Sequence, residues 1–301
     1  MNIQIKIAII AIAIIIPLSS IAVYGTNTNQ QFTSSNNSKL QVISSFNPLH
    51  EFSQNVGKEK IDVVLLVPIG VEPHDWEPTV KDVQRMQNAD LIIINGIGFE
   101  NWVDNLEEIG YSGEIIDTSY GILSKNSNDE ISQNSGDPHI WLNPVYAKIQ
   151  VQNIANAFSN SDPVNEKYYQ SNAAVYIKEL DLLDLKIRND LSNCSNDFVS
   201  FHDAFSYFAK EYNLNQHTII LSNDSHGEAT AKTLENIIFT AKKLNIKVIF
   251  AEESDNTRTS EIIANEIGGK VLVLSPLEVV SDGTYISKMT HNLENLKEAL
   301  C

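Results

Sequence analysis

The sequence predicts an α/β protein of two α/β lobes with mainly parallel sheets, joined by one long bridging α-helix. Three observations predict it. Short runs that are apolar throughout, such as Leu91-Ile-Ile-Ile94 and Val248-Ile-Phe-Ala251, recur between helical stretches, the pattern of parallel strands covered on both faces. From Pro163 to Ser192 the chain has no internal Gly or Pro, and its apolar positions Tyr169, Ala173, Tyr176, Leu180, Leu183, Ile187 and Leu191 step by four and three. Beyond Cys194 the strand and helix alternation starts again, in a chain of 301 residues that exceeds what one compact core usually fills.

In chain order, Lys6 is followed by an almost wholly apolar run from Ile7 to Tyr24 that ends in small residues, so residues 1–25 read as a secretion signal. The run is about as long as the shortest bilayer-spanning helices, which makes an uncleaved membrane anchor the alternative. Either way the rest of the chain is expected outside the cytoplasm, secreted or held at the cell surface. Residues 26–39, rich in Ser, Thr, Asn and Gln, read as a flexible polar tether.

The first lobe is expected over 40–162. Strand Leu40–Phe46 leads into a helix opened by Asn47-Pro48, strand Ile61–Val67 ends at a Pro68/Gly70 turn, and helix Thr79–Gln87 precedes strand Leu91–Asn95. Gly96 and Gly98 end that strand. A helix is expected over Phe99–Leu106 and a short strand over Glu114–Asp117. A polar insert fills Gly121–Gly136, and Asn143 with Pro144 opens a helix running through Val151 to Phe158. The bridging helix, 163–192, has a length of about 45 Å. The second lobe, 193–301, is expected to carry strands at Phe198–Phe201, Thr218–Leu221, Lys247–Ala251 and Lys270–Leu274. Its helices are expected at His202 onward, Ala229–Leu244, Ser260–Ile267 and Tyr285–Leu300.

A formal charge of −17 argues against nucleic acid as a partner, because phosphates would be repelled. The two cysteines, Cys194 and Cys301, are too few for a disulfide framework or a Cys-rich zinc knuckle; they either pair, stapling the C-terminus, or remain thiols.

Three of the 7 histidines share a local setting. His139 lies in Asp137-Pro-His-Ile-Trp-Leu-Asn-Pro144, presented from a stiff turn. His74 lies in Gly70-Val-Glu-Pro-His-Asp-Trp-Glu-Pro78, and His202 follows the apolar run Phe198–Phe201. They stand 65 and 63 residues apart, too far for a local knuckle, so a shared site has to be assembled by the fold. The reading is that they converge on one metal ion in the cleft, since ligands of open α/β sheets sit beyond the carboxyl ends of strands. His50, His217 and His291 read as capping or surface residues, and His226 as a turn residue near enough to the lobe edge to serve as an auxiliary ligand.

Five stretches in order carry a resemblance: Gly70 to Thr79, Asn88-Ala-Asp-Leu-Ile-Ile-Ile-Asn-Gly96, Asp137 to Pro144, Phe201-His-Asp-Ala-Phe-Ser-Tyr-Phe208, and Thr284-Tyr-Ile-Ser-Lys-Met-Thr-His-Asn-Leu293. From about Leu40 to the end the chain resembles the cluster A-I, zinc/manganese family of solute-binding proteins of ABC importers. The resemblance implies two lobes bridged by one helix with a metal between them, capture of that metal by a monomer, and delivery to a membrane permease with its ATPase. It places His74, His139 and His202 on the metal. Three imidazoles suit Zn(II), and binders that resemble the Mn(II) type often carry glutamate in place of the third histidine, so Zn(II) is the expected cargo and Mn(II) the alternative.

The fourth position departs from the family pattern. Many relatives place an aspartate after the last strand, where this chain reads Ser275-Pro-Leu-Glu278. Ser275 is a poor zinc ligand. Glu252, at the end of Val248–Ala251, is the expected completion, coordinating directly or accepting a hydrogen bond from a ligand histidine. Glu72 is the reserve. The insert also lacks the histidines common in zinc importers' binding proteins.

Two other classes compete. A secreted zinc-dependent hydrolase would use the same histidines to activate water, but the chain has no His-Glu-x-x-His. A surface adhesin would need an exposed partner-binding face. The expectation is a binding protein, not an enzyme, whose lobes are clamped on the metal with little room to rearrange because the bridging helix is rigid.

Overall fold

A computed structural model describes residues 39–106, 110–122, 136–220, 229–253, 257–279 and 282–301. The expectations for the signal or anchor, for the tether up to Ser38, for most of the 121–136 insert and for His226 lie outside the described residues. Among the described residues no helix is long and apolar enough to cross a membrane.

The first lobe runs β1 (Leu40–Ser44), α1 (Asn47–Gly57), β2 (Ile61–Leu65), α2 (Val80–Met86), β3 (Leu91–Ile94) and β4 (Glu114–Asp117). Its sheet has the order β2-β1-β3-β4 and every pairing is parallel. β3 is buried along its whole length, as its Leu-Ile-Ile-Ile composition requires of a strand covered on both faces. Then come α3 (Pro144–Ser161) and α4 (Glu166–Leu191). The second lobe repeats the plan: β5 (Asp197–Ser200), α5 (Ser206–Glu211), β6 (Asn215–Thr218), α6 (Ala231–Lys243), β7 (Val248–Ala251), α7 (Arg258–Ile267), β8 (Lys270–Val273) and α8 (Tyr285–Leu300). Its sheet order, β6-β5-β7-β8, is again parallel throughout and matches that of the first lobe. In each sheet the strand order reverses direction between two central strands, β1 and β3 or β5 and β7, which opens a crevice beyond their carboxyl ends.

α4 is the bridging helix. Its buried residues are Tyr169, Ala173, Tyr176, Leu180, Leu183, Ile187 and Leu191, the stripe read from the sequence. Each large apolar side chain so buried contributes about 1.5–3 kcal/mol relative to exposure. The stripe packs on α1, α3 and α8, so one hydrophobic core runs through both lobes. The cysteines pair: a Cys194–Cys301 disulfide ties the chain just past α4 to the C-terminus, and the amide of Ser195 donates to the Leu300 carbonyl alongside it at 2.9 Å.

Three local expectations are corrected. The helix expected over Phe99–Leu106 is only a 3₁₀ turn at Val103–Asn105. Gly96, Ile97 and Gly98 all take positive φ there, and the Glu100 side chain turns inward to accept the amides of Asn95 and Gly96, at 2.7 and 3.1 Å, instead of facing solvent on a helix. The helix expected from His202 begins at Ser206, because residues 201–203 form a bend and the Ser206 hydroxyl donates to Asp203 at 2.8 Å. The strand expected at Thr218–Leu221 lies three residues earlier, at Asn215–Thr218. This edge strand tolerates polar residues, while the amides of Ile219 and Ile220 continue onto the carbonyls of Ser200 and Phe201.

Candidate metal centre

Each of the three sequence-predicted histidines is held by its own local device. His74 sits on the loop between β2 and α2, which ends at a capping box where Thr79 and Asp82 exchange side-chain to backbone bonds. Its ring meets the edge of Phe99 at 4.8 Å, and its amide lies 3.4 Å from Glu72 Oε1. His139 is fully buried on the turn before α3, whose N-cap Asn143 accepts the Val145 amide at 2.9 Å, with Pro144 following. The Pro138 carbonyl ahead of it accepts from the Asn95 side chain at 2.8 Å, and Gln150 in turn holds Asn95 at 3.1 Å. His202 is fully buried on the bend after β5, where its carbonyl accepts from the side chains of Ser200 and Gln216, both at 3.0 Å.

The three Nε2 atoms face one another. His139 is 3.2 Å from His74 and 3.3 Å from His202, atom to atom. A carboxylate oxygen, Glu278 Oε1, completes the group at 3.1 Å from His139, 3.3 Å from His74 and 3.9 Å from His202. All four ligand atoms lie within 4.8 Å of one another. A tetrahedron with Zn–N bonds of ~2.0–2.1 Å has edges of about 3.3 Å, which four of the pairs match at 3.1–3.3 Å, while His202–Glu278 is longer at 3.9 Å. The Oε2 of Glu278 is buried without a hydrogen-bond partner among the described residues, a costly state for a carboxylate unless a cation sits beside it.

Behind the ligand atoms stand two carboxylates. Asp137 Oδ1 lies 2.7 Å from His139 Nδ1, and Glu252 Oε1 is hydrogen-bonded to His202 Nδ1. A proton kept on each Nδ1 leaves the Nε2 lone pair aimed at the shared point. The electrostatics are those of a site that holds protons when metal is absent. Burial works against a charge on His139, but the bonds and charges of Asp137 and Glu278 prevail and raise it to about 10. Burial opposes a charge on His202 too, yet Glu252 holds it above the usual histidine value. For Glu278, burial is outweighed by His139, His74 and the charge of His202, which keep its carboxyl well below the ordinary range. Apart from the ligands, burial pushes the Glu100 carboxyl up to about 7, against bonds from Asn95, Ser45 and Gly96.

Of the sequence-predicted residues, His74, His139 and His202 are thus brought together, and Glu252 is one step removed, at the back of His202 with no oxygen in the group of four. The fourth member of the group is Glu278, from the same Ser275-Pro-Leu-Glu278 motif whose Ser275 is a poor zinc ligand.

Against known proteins, residues 42–299 match the family model described as zinc-uptake complex component A, periplasmic. The chain belongs to this family. Among its members, the high-affinity zinc uptake system protein ZnuA of Bacillus subtilis (strain 168) is 37% identical over 300 aligned positions, covering 93% of each chain. The crystal structure of Zn(II)-bound AdcA from Streptococcus pneumoniae superposes with a TM-score of 0.74 at 32% identity, covering 87% of this chain and 58% of that one. The laminin-binding protein Lmb of Streptococcus agalactiae, described as having adhesin and metal-transporting activity, superposes with a TM-score of 0.79 at 30% identity, covering 87% and 99%. The signal that could have found Glu278 is its place as the acidic residue of Ser275-Pro-Leu-Glu278, in the loop just beyond β8 (Lys270–Val273) and so at the carboxyl end of a parallel strand.

Proposed function

We propose that this chain captures Zn(II) outside the cytoplasm and delivers it to an ABC-type importer, with His74, His139, His202 and Glu278 as the ligands. The observation that carries the reading is the convergence of three imidazole nitrogens and one carboxylate oxygen at 3.1–3.9 Å of one another for the contacting pairs. Three nitrogens and one oxygen favour Zn(II) over Mn(II), which prefers oxygen donors and more of them. Family membership supports transport as the purpose of the binding.

Four protein ligands also argue for binding rather than hydrolysis. A catalytic zinc keeps one position open for water, whereas Glu278 closes the shell here. The Cys194–Cys301 disulfide supports an oxidising, extracytoplasmic location. In this reading residues 1–25 export or anchor the chain and 26–39 tether it. The lobes at 40–162 and 193–301, bridged by 163–192, hold the metal as a monomer until a membrane permease, powered by its ATPase, accepts it.

The test is a competition titration of Zn(II) against Mn(II) on the metal-free protein, alongside the His74/His139/His202→Ala triple variant. One zinc per chain, preferred over manganese and lost in the variant, is the expected result. Preference for manganese, or zinc binding that survives the triple substitution, would overturn the assignment.

A further inference from the structure

We propose that Trp141 is a positioning residue for the fourth ligand: its indole N–H, donated across the cleft to the Pro276 carbonyl, holds Glu278 against the three imidazoles. This rests on the reading of Glu278 as a ligand.

Trp141 is fully buried two residues after His139, and its ring stands 5.1 Å from the His139 ring. Phe46 and Phe99 pack on it at 4.6 and 5.1 Å, which leaves the indole one orientation. From there Nε1 donates to the Pro276 carbonyl at 2.7 Å. The backbone carbonyl of Trp141 accepts from Tyr285 Oη, on α8, at 2.7 Å. One residue of the first lobe therefore touches the ring of a ligand and binds twice to the second lobe.

Three hydrogen bonds inside the second lobe also hold the loop it grips. Ser275 is fastened within its own lobe by Asn292, which accepts its amide at 2.8 Å and donates to its carbonyl at 2.7 Å. Leu277 is buried at φ 64, a left-handed conformation that costs a branched L-residue about 1 kcal/mol or more, and its amide bonds the Ser275 hydroxyl at 3.2 Å. Pro276 has no amide hydrogen, so its carbonyl is its one backbone handle, and Trp141 holds it. Removing the indole N–H leaves that carbonyl unsatisfied and gives the strained Leu277 a way to relax. Glu278, one residue further on, then loses its register to His74 and His139.

The experiment is a double-mutant cycle on the full chain with Trp141→Phe and Glu278→Gln, read by zinc affinity and by the visible ligand-field spectrum of the Co(II) form. Trp141→Phe keeps an aromatic ring and deletes the donor; benzothienylalanine at position 141, which swaps only N–H for sulfur, replaces it if the phenylalanine variant folds poorly. The expected result is an affinity loss of about tenfold in the wild-type background, a cobalt spectrum moved toward that of Glu278→Gln, and no further loss when both changes are combined. An equal loss in both backgrounds, or an unmoved cobalt spectrum, overturns the role of Trp141 while leaving Glu278 a ligand. A Glu278→Gln variant with unchanged affinity and spectrum removes Glu278 from the metal, and the proposal falls with it.

Discussion

His74 Nε2 and Glu278 Oε1 lie 3.3 Å apart although 204 residues separate them in the chain. The contact joins a loop of the first lobe to a loop of the second, at the same point where His139 and His202 meet. In the proposed reading, metal bound there would tie the lobes together through four side chains, and each can be probed separately.

Glu278→Gln keeps the size of the side chain and removes its charge. Zinc affinity is expected to fall by about a hundredfold or more, ~2.7 kcal/mol, with manganese weakened further because it depends more on oxygen. Isothermal titration against a competing chelator measures both. An unchanged zinc affinity would return the fourth place to another group.

Glu252→Gln and Asp137→Asn act through the imidazoles they orient. Each is expected to cost 10–100-fold in zinc affinity while leaving one zinc per chain. A Glu252 variant that loses zinc entirely would mean that this carboxylate itself coordinates.

Zinc has to displace protons. With His139 raised to about 10 and His202 raised as well, the metal-free site is protonated at neutral pH, so binding releases protons and apparent affinity rises with pH. Calorimetry in buffers of different ionisation enthalpy counts them, and a release of none would contradict the site electrostatics. The same shifts govern metal-free stability. The His139 proton stabilises the fold fully below the ordinary histidine value of 6.5, and this contribution is lost as pH rises toward about 10. The Glu278 charge contributes its full stability above the ordinary glutamate value of 4.5, and this contribution is lost as pH falls below it. The melting temperature of the metal-free protein should therefore decline on both sides of that window.

The disulfide closes a loop with a sequence separation of 107 residues. Loop entropy gives about 4.7 kcal/mol for a loop of roughly 100 residues. The Cys194→Ser/Cys301→Ser variant should melt earlier by an amount of that order at most, yet bind zinc almost unchanged, since neither cysteine touches the site. Denaturant unfolding with and without reductant checks the first part, and zinc titration the second.

Because α4 packs on elements of both lobes, metal binding is expected to leave the overall dimensions nearly unchanged. Small-angle scattering of the metal-free and zinc-loaded protein would show a wide hinge closure if the bridging helix bent.

Much of this was legible in the order of residues. Uniformly apolar runs as short as Leu91–Ile94, closed by Gly96 and Gly98, suit strands covered on both faces, and the seven-residue stripe of α4 follows from the helical period. His74, His139 and His202 could be singled out because prolines and strand ends dictate locally how each is presented. Where a side chain answers to distant partners, local reading failed. Glu100 folds inward and abolishes an expected helix: its carboxylate accepts from the amides of Asn95 and Gly96, just past β3, and from the Ser45 hydroxyl, 55 residues away in the chain. The sequence by itself determined the two-lobed parallel plan, the bridging helix and three of the four residues that meet in the cleft. Folding in three dimensions was needed to bring Glu278 to the three imidazoles, to leave Glu252 behind His202, and to join Cys194 to Cys301. These depend on distances between segments 50 to 204 residues apart, which no local propensity encodes and which packing across the shared core sets.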